Sequence, residues 1–458
     1  MTRIKEYKFI DLYEMASGIS TKPEQAGHGS PFVSFSTAFN NSFLPQGVGD
    51  LMNTSQKEQE IYSLRAGDIL LTRTSETIDE LGMSCVVLND FPRATYSGFL
   101  KRVRPIQNDI TYPKFMGFYL RSKLFRKTMT NNAVLTLRAS LNEEIFSYLK
   151  LYLPDYDTQK RVGDFLYSIT SKIELNNRIN AELEAMAKLI YDYWFVQFDF
   201  PISTENAQAM GNPNLEGKAY KASGGKMVWS EESKREIPEG WTVGTIKDLG
   251  EIIGGSTPST KDEENFEKGG TPWITPKDLS LNVGNKYITK GEICVSKRGK
   301  EKASLKIMPT GTILLSSRAP IGYMAISRES LTTNQGFKNI VPNKGYSTEI
   351  VYYIIKNLMP VIKMNASGST FQEISGSVLK SIKVLLPHRD HAITLTEILS
   401  PIFRKQNLLE LEKQKLTEVR DWLLPMLMNC QVSIREAETE IAMAAEGEAA
   451  YGKRKHKY

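Results

Sequence analysis

Apolar positions recur along this chain in two rhythms. Short apolar and β-branched runs bounded by Gly and Pro predict strands at Asp68–Thr72, Cys85–Leu88, Thr312–Ser316, Tyr323–Ile326 and Leu379–Leu386. Helical spacing predicts one helix over Tyr112–Met129 and another over Ser347–Lys363. The second rhythm is longer. Within Asp157–Val196 the steps of three and four run through Leu166, Ile169, Ile173, Asn176, Asn180, Leu183, Ala187, Ile190 and Trp194. Within Asp390–Met428 they run through Leu399, Ile402, Leu409, Leu416, Leu423 and Leu427, with Gln406, Lys413 and Arg420 in the alternate slots. A stripe this narrow reads as a helix–helix seam, and polar residues on a seam cost stability while fixing register and partner. The span Leu166–Trp194 amounts to about 43 Å of helix at ~1.5 Å per residue. Antiparallel pairing of the two helices separates the parts they carry, whereas parallel pairing brings them to one end. The spacing does not choose between these.

The pattern is written twice. Asp11-Leu12 with Ser17–Ser20 matches Asp248-Leu249 with Gly254–Thr257 at an offset of 237, and Gly29–Val33 matches Gly270–Ile274 at 241. Gly67–Arg73 matches the run from Gly311 to Arg318 at 244, and Leu149–Pro154 matches Ile382–Pro387 at 233, an offset then kept through the long helices. Ordered matches with drifting offsets indicate a tandem duplication with small loop insertions. The expected fold class is α+β: two pseudo-repeated α/β parts joined by two long helices. The expected boundaries are 1–155 and 236–389 for the globular parts, 156–200 and 390–430 for the helices, 201–235 for a Gly/Asn/Ser-rich linker, and 431–458 for a disordered tail.

Composition narrows the classes. With 458 residues, 41% hydrophobic and 24% charged, the chain is long enough for two to four domains and apolar enough to fill their cores. Cys85, Cys294 and Cys430 are too far apart for a disulfide framework or a Cys-based zinc site, and the four histidines are scattered. No apolar stretch approaches the ~20 residues of a membrane span, and the N-terminus lacks an apolar secretory core, so a cytoplasmic location is expected.

Catalytic motifs are missing. GNPNLEGKA, Gly211–Ala219, has the wrong spacing for a phosphate loop and Ala219 in place of the Mg²⁺-binding hydroxyl. No adenine-methyltransferase, dinucleotide, zinc-protease or serine-hydrolase signature is found. Polyanion chemistry is present instead. The net charge is +6, and Lys286–Lys306 alone holds seven basic residues (Lys286, Lys290, Lys297, Arg298, Lys300, Lys302, Lys306) against Glu292 and Glu301. Smaller clusters are Lys101–Arg104 and Arg121–Lys127. Clustered cations neutralise phosphates, and polar side chains on nearby loops read base edges. The candidates are Ser256, Thr257, Lys261, Lys277, Lys297, Arg298, Lys300, Arg318, Asn334, Gln335, Ser369, Thr370 and Gln372, with Ser20, Lys22, Ser34, Arg73 and Arg138 in the first half.

The runs IPEGWTVGTIKDLGEIIGGSTPST from Ile237, TPWITPKDL from Thr271, GTILLSSRAPIG from Gly311 and TTNQGFKNIVP from Thr332 resemble a target-recognition domain. The family is that of the DNA-specificity subunits of type I restriction-modification systems. YDYWFVQFDFP, Tyr191–Pro201, resembles the end of that family's central helix, and the resemblance extends to about Cys430. The first half departs from the family pattern at STKPEQAGHGSPFVSF and RTSETIDELG, so residue roles transfer less well there. The resemblance implies two target-recognition domains held apart by an antiparallel helix pair, each reading half of a split double-stranded DNA site. It also implies two docked adenine-N6 methyltransferase subunits and a motor-nuclease subunit. S-adenosylmethionine, ATP and Mg²⁺ would belong to those partners, leaving this chain without cofactor, metal or catalytic residue. A ~43 Å ruler suits half-sites about one helical turn (~34 Å) apart. Two other classes fit the motifs alone: a coiled-coil adaptor indifferent to DNA, and a nuclease with scattered carboxylates.

Overall fold

A computed structural model describes residues 4–75, 80–132, 139–318, 320–367 and 372–429. It divides into two units. One comprises the residues up to 174 together with those from 414, and the other comprises Leu175–Lys413. Two helices of 40 residues each, Tyr156–Phe195 and Arg389–Met428, contribute a segment to each unit.

The first unit is built on a four-stranded antiparallel sheet in the order Tyr13–Ser17, Leu100–Pro105, Ile69–Thr72, Ser84–Val86. Beside it Ala26–Val33 pairs antiparallel with Leu51–Met52 and parallel with Thr95–Tyr96, with a break in register between Ala26 and Ser30. Lys5–Lys8 and Lys150–Leu153 pair antiparallel and close the β-rich part on itself. The core gathers Phe9, Tyr13, Phe115, Tyr119, Phe125 and Phe146, and Leu166, Leu423 and Leu427 of the long helices pack into it. Burying such side chains contributes roughly 1.5–3 kcal/mol each.

The second unit repeats this plan. Its main sheet runs Glu251–Gly254, Lys338–Val341, Ile313–Leu315, Met324–Ser327, Tyr287–Ile288. Phe266–Ile274 pairs with Ile293–Val295 and, in parallel, with Thr332–Thr333, again with a register break, between Phe266 and Thr271. Thr242–Thr245 and Lys383–Leu386 form the closing pair. Even single turns correspond: Gly67 and Gly311 both take positive φ, +93° and +82°, which favours glycine at that turn.

Local chemistry corrects three expected elements. Tyr112–Met129 is two helices, Pro113–Tyr119 and Lys123–Asn132, because the Ser122 hydroxyl donates to the Tyr119 carbonyl and accepts from the Phe125 N–H, restarting the helix. Ser347–Lys363 is likewise split, into Thr348–Asn357 and Met359–Met364, where Pro360 has no N–H for the preceding turn. Leu379–Leu386 begins as a helix, Gly376–Ser381, capped by Ser375, and only Lys383–Leu386 is strand. The segment read as a linker carries a short helix, Thr204–Ala209, and a hairpin of Met227–Ser230 with Arg235–Pro238. The tail from 430 lies outside the described residues.

Candidate nucleic-acid interface

In the second unit, five turns meet at one end of the main sheet. Gly255 lies so close to the next turn that a Cβ there would sit 1.9 Å from the Asn334 carbonyl oxygen. Ser256 is held on both sides: its N–H donates to the Thr333 carbonyl, and its own carbonyl accepts from Trp273 Nε1. The Asn334 N–H donates to the Ile274 carbonyl, and its side-chain oxygen accepts the Gly336 N–H at 2.9 Å. Arg318 bridges by backbone to Glu373. This brings together Ser256, Arg318, Asn334 and the segment containing Gln372, with Thr257, Gln335 and Gln372 exposed. Among the described residues, Arg318 and Lys261 have no ion-pair partner, whereas Lys277 pairs with Glu292 at 2.6 Å. Ser369 and Thr370 lie outside the described residues.

A second group surrounds the short helix Lys297–Lys302. Ser296 caps it, accepting the Gly299 N–H and donating to the Glu264 carbonyl. Arg298 is paired with both Asp262 and Glu264, and Lys302 with Asp262. The Lys302 hydrogen bond and the Arg298 charge hold the Asp262 carboxyl below its ordinary range. Lys300 donates to the Thr271 hydroxyl at 3.1 Å. Lys297 is exposed and, among the described residues, unpaired. With Gly269, Thr271 and Lys300 it lines a hollow of about 450 Å³.

Four of the clustered cations are structural instead. Lys286 is buried, its ammonium against Glu184 and Gln406 and over the Phe403 ring. Arg102 donates to the Ile61 and Ser63 carbonyls, and Arg104 clasps both oxygens of buried Asp68 at 2.7 Å. Arg121 donates to four main-chain carbonyls, of Ser84, Ala38, Phe39 and Asn41. A run of basic letters does not reveal which cation has its acceptors inside the fold. The reason is that guanidinium and ammonium stems pack well against apolar surface.

In the first unit the candidates stand apart. The Lys22 N–H donates to Gln25 in a 3-10 turn, Ser34 caps the helix Phe35–Asn40, and Ser20 is exposed beyond the Ile19–Ser97 bridge. Arg73 is exposed beside Lys101, whose pKa is lowered by burial and by the Arg73 charge, and exposed Phe99 shares that turn. A cation pair next to a bare aromatic ring suits a phosphate and a base; Phe99 escaped the sequence reading because one exposed aromatic has no pattern. Arg138 lies outside the described residues.

The long helices carry their own polar contacts. In the first unit Leu166 and Leu423 are fully buried, Ile169 and Ile173 nearly so, and Leu416 half-buried. In the second unit Asn176 donates to Glu412, and Gln406 donates to the Asn180 carbonyl and to Glu184. Leu399, Ile402 and Leu409 are buried there, Leu183 and Ile190 half-buried, while Met186, Leu189 and Val196 stand exposed. The end of the first helix sits in aromatics: Trp194, Phe200 and Trp241 surround His391, which accepts from Trp241 Nε1 at 2.9 Å. Burial and the neighbouring His388 hold His391 neutral, its pKa pushed down to about 4. Among the described residues no His/Cys/Asp/Glu group could hold a metal ion, and no helix is long and apolar enough to cross a membrane.

The family profile described as type I restriction modification DNA specificity domain matches residues 5–185 and again 238–420. The chain is 43% identical over 211 residues to the MjaIX type I restriction enzyme specificity subunit of Methanocaldococcus jannaschii, covering 43% of this chain and 48% of that one. In that match it spans about half the relative's length. It is 28% identical over 476 residues to the HindI specificity subunit of Haemophilus influenzae, covering 94% of this chain and all of the relative. Among solved structures, the S subunit of a type I restriction-modification system from M. genitalium superposes with a TM-score of 0.61 at 13% identity, covering 93% and 96% of the two chains. At that identity the likeness is one of fold.

Proposed function

The chain belongs to the type I restriction-modification DNA-specificity family, and we propose that it is the non-catalytic subunit that reads a bipartite, asymmetric double-stranded DNA site for such a complex. One observation carries this reading: the same order of four antiparallel strands beside the same mixed three-stranded sheet occurs once in each unit, with Tyr287–Ile288 as a fifth strand in the second, and each unit has its own exposed polar and basic turns. Two similar folds with different turn residues suit two half-sites of different sequence. The long helices act in this reading as an antiparallel coiled coil that sets the spacer. The order of contacts supports it: Asn176 meets Glu412, while Glu184, farther along the first helix, meets Gln406, earlier in the second.

Two adenine-N6 methyltransferase subunits dock on these helices, joined in the restriction complex by a motor-nuclease subunit. The exposed apolar residues Met186, Leu189 and Val196 support docking, since such side chains at helical spacing suit a protein partner. S-adenosylmethionine, ATP and Mg²⁺ reside in the partners, and the complex works in the cytoplasm. The test is an exchange of residues 1–155 for the matching part of a relative, followed by methylation-aware sequencing of host DNA. One half of the modified motif should change. A change in both halves, or in neither, overturns the reading.

A further inference from the structure

The second unit buries a charged fork between its β-rich part and its two helix segments. Lys286, with a side chain 4% exposed, places Nζ 2.7 Å from Glu184 on the first helix and 2.6 Å from Gln406 on the second. The Tyr353 hydroxyl lies 3.4 Å away, and the Phe403 ring centroid 3.8 Å. The main-chain N–H groups of Lys286 and Tyr287 both donate to the Glu410 carboxylate. Arg328 grips Glu410 and Asn407 at 2.8 and 2.6 Å. One lysine thus ties the β-rich part to both helix segments.

The first unit builds this joint from other material. Val86 N–H donates to the Ser42 carbonyl just as Ile326 N–H donates to that of Lys286, so Ser42 and Phe43 stand where Lys286 and Tyr287 do. Phe43 packs edge-on against Phe118 and Tyr167 at 5.2 and 5.1 Å. At the repeat offset, Ile173 and Asn177 replace Gln406 and Glu410. Apolar contact is non-directional, whereas an ammonium held by a carboxylate and an amide away from water admits few geometries.

We infer that Lys286 is a positioning residue that fixes the angle at which the second β-rich part is presented by its helix segments. The consequence for DNA rests on the proposed function. Lys286→Met alone would leave Glu184 half-buried without its main partner, so the test variant is Lys286→Met with Glu184→Gln, a neutral pair of similar size. Spin labels at Lys268→Cys and Leu189→Cys, with Cys294 and Cys430 replaced by serine, report the angle without DNA. The label–label distance distribution should broaden about twofold in the folded double variant, because directional bonds have been exchanged for adaptable packing. The subunit assembled with its methyltransferase partner is then titrated on duplexes with the sequenced motif at its natural spacer and at one base pair more or less. The preference for the natural spacer should fall by about fivefold or more, with discrimination at the first half-site unchanged. A distribution as narrow as the wild type's overturns the inference. A broad distribution with unaltered spacer preference overturns its consequence for DNA. A wild-type complex that distinguishes no half-site overturns the proposed function, and the label measurement then decides the joint alone.

Discussion

Lys297 and Arg298 are neighbours with opposite circumstances. Arg298 already has two carboxylates, so a phosphate must compete with Asp262 and Glu264 for it, whereas Lys297 has no ion-pair partner among the described residues. If the hollow beside them takes a DNA phosphate, Lys297→Ala should flatten the logarithmic salt dependence of binding by about 0.9, and Arg298→Ala by much less. Equal changes in the two slopes would contradict this. Glu184 carries a different expectation. Burial raises its pKa, but the Lys286 charge and the hydrogen bonds from Lys286 and Lys356 outweigh burial and hold it down to about 2. A carboxyl depressed on folding stabilises the protein above its ordinary value of 4.5, and that stability is lost as pH falls through about 2. Its carboxylate is 29% exposed, so the contribution is on the order of 2 kcal/mol. Urea unfolding from pH 6 to pH 2 should therefore show a shallower acid loss in Glu184→Gln. An unchanged acid limb would mean that Glu184 is not ion-paired in the folded protein.

At the scale of the element, the helices keep polar groups where leucines would pack. Asn180 is buried and, among the described residues, neither its amide nitrogen nor its side-chain oxygen has a partner. Asn180→Leu should raise stability by about 1 kcal/mol, read as a higher thermal midpoint, while relaxing the register that a polar seam residue imposes. A lower midpoint would mean that the amide has partners in the folded protein. Gly255 is the reverse case. Gly255→Ala has main chain on its far side and must push the Ser256 turn away from Asn334, so binding to one half-site should fall at least about tenfold while the core stays folded. Much of this architecture was legible in the sequence. The helical spacing along the two long helices and the repeat of Gly-Thr-Pro-Trp-Ile on Gly-Ser-Pro-Phe-Val are periodic, and burial enforces period. Ser122, Pro360 and Ser375 cut elements that periodicity had joined, because capping acts on one residue and leaves no rhythm. The site was less legible for a related cause. Lys286 and Arg104 look like their exposed neighbours until the acceptors Glu184 and Asp68, distant in the chain, are brought alongside.

For the molecule as a whole, the proposed function makes the two long helices a ruler, and a ruler of two helices must be lengthened in both. Asn176 and Glu412 are hydrogen-bonded across the pair, so an insertion in one helix alone shears that contact. Four residues added after Glu174 and four after Lys413 should lengthen the spacer by about 6 Å, close to two base pairs, and leave both half-site sequences intact. Methylation-aware sequencing reads this directly, and an altered half-site would show that the helices do more than measure. The closing strand pairs carry a consequence of another kind. Because Lys5 pairs with Leu153 and Thr242 with Leu386, each β-rich part leaves the chain and returns to it one strand spacing away, about 4.8 Å. Entrance and exit are adjacent doors. A body whose own ends lie side by side fits between them, and under the proposed function a gene crossover at those two places would trade one half of an address for another while keeping the frame that holds it.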